Sequence, residues 1–248
     1  MRLFKGTLLA FALMTTAAAQ SPAPPIADTR LTVHTLLRED VFAGFLDNNM
    51  ERVARAEQNI ARLLEQRPAE KGNLLAWRGG IKVQHAVRAH EAGKADEFAR
   101  HFTAAREDFA AAAKETSGNG GVPAIIGGSY AFYGDRLPQE HRAAAWSQAY
   151  DSYAALWKQQ AAQVEKMPVH FQGELLSGMA QSAQRTGRSA ESAEFVERML
   201  TVLKDTPFER TARQWKADPA SAATSNLTCK NCHSPGRLSA KLKALEAK

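Results

Sequence analysis

Glycine and proline punctuate this chain so regularly that they constrain its fold more than any other feature. Breaks at Pro68, at Gly93, across Gly118-Asn119-Gly120-Gly121, from Gly134 to Pro138, and at Pro168, Gly187, Pro207 and Pro219 cut it into pieces of helical length. Between the breaks alanine, glutamate, lysine, glutamine and arginine dominate, and runs of β-branched residues are absent. Such pieces favour helix and disfavour strand. The expected helices cover 38–47, 49–66, 71–91, 95–116, 122–133, 138–165, 169–186, 189–204, 207–217 and 236–247. The expected fold class is all-α, with antiparallel helix pairs stacked on one another.

Several pieces carry a core stripe. Ile60, Leu63 and Leu64 share a face, Phe98, Phe102, Ala105 and Phe109 follow i, i+4, i+7, i+11, and Tyr150, Tyr153 and Trp157 behave alike. Charged positions such as Glu39 and Asp40 read as ordinary helix surface. Ala86, Ala89, Gly93, Phe102 and Ala105 recur 94 residues on as Ala180, Ala183, Gly187, Val196 and Met199. A poorer middle copy runs through Gly128, Gly134 and Tyr150. The pattern resembles a degenerate tetratricopeptide array over 49–205; the alternative is a bundle that reuses small-residue contacts. In both, amphipathic helix pairs bury by stacking what they cannot bury alone.

The chemistry sits near the other end. Cys229-Lys230-Asn231-Cys232-His233 is the C-x-x-C-H spacing by which two thiols bond covalently to the vinyl groups of haem c, while the adjacent histidine coordinates the iron. Cys229 and Cys232 are the only cysteines. A structural zinc site would need a second ligand pair, a thioredoxin-like pair a βαβ setting, and a plain disulfide leaves His233 unused. The cofactor-binding residues are therefore Cys229, Cys232, His233 as proximal iron ligand, and Arg237, whose guanidinium suits a haem propionate. Leu238, Leu242 and Leu245 form a short stripe that would cover the haem or dock on the helices. Asp218 to Leu227 is a polar linker.

Leu227 to Leu238 (LTCKNCHSPGRL) resembles, locally, the attachment segments of cytochrome c-prime and of reaction-centre cytochrome subunits. Neither transfers whole, because the preceding helix holds Trp215 but no methionine. The chain as a whole resembles predicted periplasmic proteins that join tetratricopeptide-like helices to a C-terminal single-haem segment. No methionine or histidine follows His233, so a sixth ligand is expected upstream, from Met50, Met167, Met179, Met199, His34, His85, His90, His101, His141 or His170, unless the distal position is open. Met179 and Met199 fall on core positions, His85 on a semi-buried one, and His90, His101 and His141 on solvated ones. Met167 and His170 flank Pro168 at a turn.

Arg2 and Lys5, the apolar Leu8–Met14 stretch and Ala17-Ala18-Ala19 form a secretory signal, with cleavage expected near Ala19. That run is too short to span a bilayer. Residues 20–37, which include Ser21-Pro22-Ala23-Pro24-Pro25, are expected as linker, 38–217 as the helical domain and 218–248 as the haem segment. Without Arg2 and Lys5 the charge falls from +6 to +4, too mild to suggest nucleic acid but suited to an acidic redox partner. No motif for a catalyst is present. The expectation is an exported electron-transfer cytochrome with no membrane span in the mature chain; the alternatives are a five-coordinate haem that binds a small gas, or a helical scaffold of a redox complex.

Overall fold

The computed structural model describes residues 23–115, 120–224 and 236–247. The signal segment and Cys229, Cys232 and His233 lie outside the described residues. Among the described residues ten α-helices follow in order: α1 Val33–Asp47, α2 Met50–Gln66, α3 Lys71–Glu91, α4 Ala95–Lys114, α5 Gly121–Tyr133, α6 Gln139–Gln160, α7 Val169–Arg185, α8 Ser189–Val202, α9 Pro207–Ala217 and α10 Arg237–Glu246. Among the described residues there is no strand.

Two boundaries depart from expectation. Helix α1 starts five residues early, at Val33, because the Thr32 side chain caps it by accepting a hydrogen bond from the Thr35 amide at 3.2 Å. Helix α6 stops at Gln160, and Ala161–Lys166 tightens into a 3-10 helix before Pro168.

Consecutive helices pack as pairs, α1 on α2, α3 on α4, α5 on α6 and α7 on α8. The second and fourth pairs close by the same turn. Gly93 and Gly187 take φ of +72° and +76°, and the next amides, of Lys94 and Arg188, donate to the Ala89 and Ala183 carbonyls at 2.9 Å. Nothing lies within 4 Å of where a Cβ would stand at either glycine, so the requirement is the left-handed backbone alone. Gly134 has φ of −52° and leads into a 3-10 turn instead, so the middle pair closes differently.

The core follows the stripes. Ile60, Leu63, Phe98, Phe102, Ala105 and Phe109 are all buried. Of the three α6 stripe aromatics only Tyr153 is central. Tyr150 and Trp157 reach onto α8, where the Tyr150 hydroxyl donates to Glu191 at 2.8 Å and Trp157 meets the Phe195 ring edge-on at 5.1 Å. Tyr153 fits because α7 offers it a glycine: a Cβ on Gly178 would stand 2.5 Å from its ring. Gly178→Ala is expected to cost about 1–3 kcal/mol through forced repacking, measured as a lowered urea midpoint with an unchanged slope.

Glu39 and Asp40 are not ordinary helix surface. Asp40 is 1% exposed. Its carboxylate accepts from Arg52 Nε at 2.8 Å and from Arg55 Nη2 and Nε at 2.6 and 2.7 Å, tying α1 to α2. Glu39 Oε1 accepts the Leu238 amide at 2.7 Å, which fastens the start of α10 to α1. Charge at these positions reads as surface in one dimension, and only the neighbouring helices bury it. Leu238 is buried, with Leu242 and Leu245 half-buried against the core, so their stripe docks on the helices. At the C-terminal end of α2, Arg67 donates to the carbonyls of Leu31, Ile26 and Asp28 at 2.7, 2.8 and 2.8 Å, holding the turns of the entry segment in place.

Candidate functional site

A cavity of about 410 Å³ lies between α1, α3, α5, α6 and α7, with Arg237 of α10 among its lining residues. Its size falls within the range of about 300–1,000 Å³ found for small-molecule and cofactor sites. Much of the wall is aromatic: Phe42 and Phe45 from α1, Trp77 from α3, Tyr153 from α6 and Phe171 from α7. Phe42 meets Trp77 edge-on at 6.0 Å and Phe45 at 5.3 Å, so these rings brace one another. Gly128 of α5 leaves its part of the wall bare; a Cβ there would stand 3.7 Å from Tyr153 Oη and 3.9 Å from Glu174 Oε1.

Among the other lining residues are His34 and Arg38 on α1, Glu70 and Asn73 at the start of α3, Met167 before α7, His170 and Glu174 on α7, and Arg237. His34 and Arg38 are one turn apart on one helix face, as are His170 and Glu174. These residues are half-buried at the cavity wall, and the electrostatics follow. Burial draws the His34 imidazole down to about 4, helped by the positive charges of Arg38, His170 and Arg237. Burial also lowers His170, again with Arg237 and Arg38 contributing. The Glu174 carboxyl is pushed up to about 7 by burial, against the attraction of Arg38. At neutral pH His34 is uncharged and Glu174 is part-protonated. The arginines carry the positive charge.

The sequence-derived candidates separate clearly. His34, Met167, His170 and Arg237 converge on the cavity. Met179 and Met199 are core, at 1% and 0% exposure. Met50 accepts from Gln84 Nε2 at 3.6 Å. His85 pairs with Glu57 at 3.1 Å and stacks on His101 at 5.2 Å. His90 is exposed, as expected, but His101 and His141 are not simply solvated: both are half-buried, and His141 rests against Phe98 and Phe102 at 5.3 and 5.0 Å. Their charged sequence neighbours conceal this, because the covering rings come from elsewhere in the chain.

Arg38, Trp77 and Glu174 have no sequence signal at all. They look like helix residues until five helices bring them to one cavity. Among the described residues no group of three or more His, Cys, Asp or Glu side chains is arranged to hold a metal ion directly, and no helix is long and apolar enough to cross a membrane. No protein-family model, curated protein or solved structure matches this chain.

Proposed function

We propose that the chain is an exported c-type cytochrome that carries one covalent haem in this cavity and transfers electrons. The observation that carries the reading is the convergence of Arg237 and the aromatic cavity. Arg237 stands four residues after His233, so chain geometry keeps His233 within about 14 Å of it. The residues present fit the group. The aromatic wall suits the porphyrin faces, Arg38 and Arg237 suit its propionates, and the imidazoles of His34 and His170 and the thioether of Met167 are all donors that iron accepts. Cys229 and Cys232 would bond it, and His233 would hold the iron. When bound, the haem supplies a reversible one-electron couple.

The helices contribute burial, orientation and charge. The Glu39 bond to the Leu238 amide anchors the chain just after the motif, and the 3-10 turn Pro219–Ala223 contacts α7 and α9 just before it. Val169 and Phe171, 46% and 43% exposed at the α7 end of the cavity, and the exposed Lys241 and Lys243 of α10 suit docking of an acidic redox partner. The recurrence of one closing turn in α3–α4 and α7–α8 supports a tetratricopeptide-like array as the partner-binding scaffold.

The test is expression with a haem c maturation system, followed by acid–organic extraction and ferric and ferrous spectra. Haem that stays with the polypeptide, and is lost in Cys229→Ala/Cys232→Ala, is the expected result. Wild-type protein that emerges without extraction-resistant haem would overturn the reading.

A further inference from the structure

We infer that His85 and His101 bind one divalent transition cation of the zinc type across the α3–α4 pair, with Glu57 of α2 orienting His85 from behind. The inference is independent of the haem reading, because none of the three residues lines the cavity.

Three consecutive helices bring these side chains together: Glu57 stands on α2, His85 on α3 and His101 on α4. The two imidazole centroids are 5.2 Å apart, with planes inclined by 32°. Two imidazoles that share one tetrahedral ion through bonds of about 2 Å have their centroids about 5 Å apart. The observed spacing matches a shared ion. A neutral His85 donates its Nε2 proton to Glu57 Oε1 at 3.1 Å. That bond fixes the tautomer in which Nδ1 keeps its lone pair. A carboxylate behind a ligating imidazole is the usual support at protein-bound zinc.

Among the described residues no three such side chains are arranged to hold an ion directly. The site therefore uses two imidazoles, and water completes the coordination. Solvent reaches it, since the His85 and Glu57 side chains are 25% and 42% exposed and His101 is half-buried.

The electrostatics agree. Burial first, then the charges of His85 and Arg100, hold His101 below the ordinary imidazole range, against the pull of Glu97 and Glu57. At neutral pH it is uncharged, which is the form that metals bind. A plain His85–Glu57 ion pair accounts for those two residues, but it sets a second imidazole against a positive ring. The neighbouring histidines differ. His90 rests on Phe98, and His141 on Phe98 and Phe102, so each has an apolar ring as its neighbour and not a second donor. Imidazole donors select zinc, copper or nickel; calcium and magnesium take oxygen ligands.

The test titrates the full-length protein with zinc ion alone at neutral pH, followed by side-chain imidazole NMR and by calorimetry. The His85 and His101 imidazole signals are expected to shift together and to saturate at one ion, while those of His90 and His141 stay in place. Magnesium is expected to move none of them. His85→Gln and His101→Gln should each weaken this site by roughly tenfold or more, and Glu57→Gln by about tenfold. The NMR arm uses the unaltered chain, so it does not depend on any variant folding. It also separates this site from zinc taken up elsewhere in the chain. Zinc that leaves the His85 and His101 signals unmoved, or moves one of them alone, overturns the assignment. So does a folded His101→Gln protein whose His85 signal still responds as in wild type, which would leave the plain His85–Glu57 ion pair.

Discussion

Asp40→Ala is expected to lower the unfolding free energy by about 3 kcal/mol. The carboxylate is 1% exposed and takes three hydrogen bonds from Arg52 and Arg55. Removing one partner of a buried ion pair strands the other, at about 3–5 kcal/mol. The lower end applies because the two arginine side chains are 20% and 33% exposed and regain some water. Asp40→Asn keeps the shape and loses the charge, so it should fall between wild type and Asp40→Ala. The consequence extends beyond stability. Glu39 fastens α10 from the next position of α1, so loosening the α1–α2 clasp should also loosen the end of the chain that holds the haem motif. Urea denaturation measures the first effect, and amide exchange at Leu238 the second. A loss below about 1 kcal/mol would mean that both guanidinium groups resolvate fully and that the pair contributes little.

The second large effect is a pH dependence that wild type conceals. Folded Glu174 titrates near 7, against 4.5 for an ordinary glutamate. The folded protein keeps a proton that the unfolded chain releases, so this contribution is full below 4.5 and is lost as pH rises to 7. Folded His34 titrates near 4, against an ordinary 6.5. Here the unfolded chain takes up a proton that the folded protein refuses, so stability is full above 6.5 and is lost as pH falls towards 4. Each contribution amounts to about 3 kcal/mol across its window. The slopes have opposite signs and overlap between 4.5 and 6.5, where they largely cancel.

Single variants of the haem-free polypeptide should therefore uncover them. Glu174→Gln should gain about 2–3 kcal/mol over wild type at pH 8 and nothing at pH 4. His34→Leu should gain over wild type at pH 4 and show stability falling steadily towards pH 7. The differences between variant and wild-type urea midpoints, taken from pH 4 to 8, isolate these two groups from the other carboxylates. Differences that do not change with pH would mean that water reaches the cavity freely and that neither group is desolvated.

The helices were legible in the sequence for local reasons. Helix starts and stops depend on a few neighbouring residues: Gly93 and Gly187 supply the left-handed turns, and Pro207 opens α9. The apolar period does the rest, which is why Ile60, Leu63, Phe98 and Phe109 are found buried. C-x-x-C-H is likewise a local statement, since the spacing of two sulfurs and an imidazole is set within five residues. Which upstream histidines and methionines share a cavity was not legible, because that depends on what stands across the cavity and not on what stands beside each residue in the chain. The same holds for Asp40, which reads as surface until α2 brings two arginines to it, and for Glu174, whose raised pKa arises because neighbouring helices exclude water from it. By itself the sequence determined where the helices lie; the tertiary structure decided which of the ten upstream histidines and methionines named as candidate donors meet in one cavity, because burial and long-range proximity are properties of stacked helices and not of any one of them.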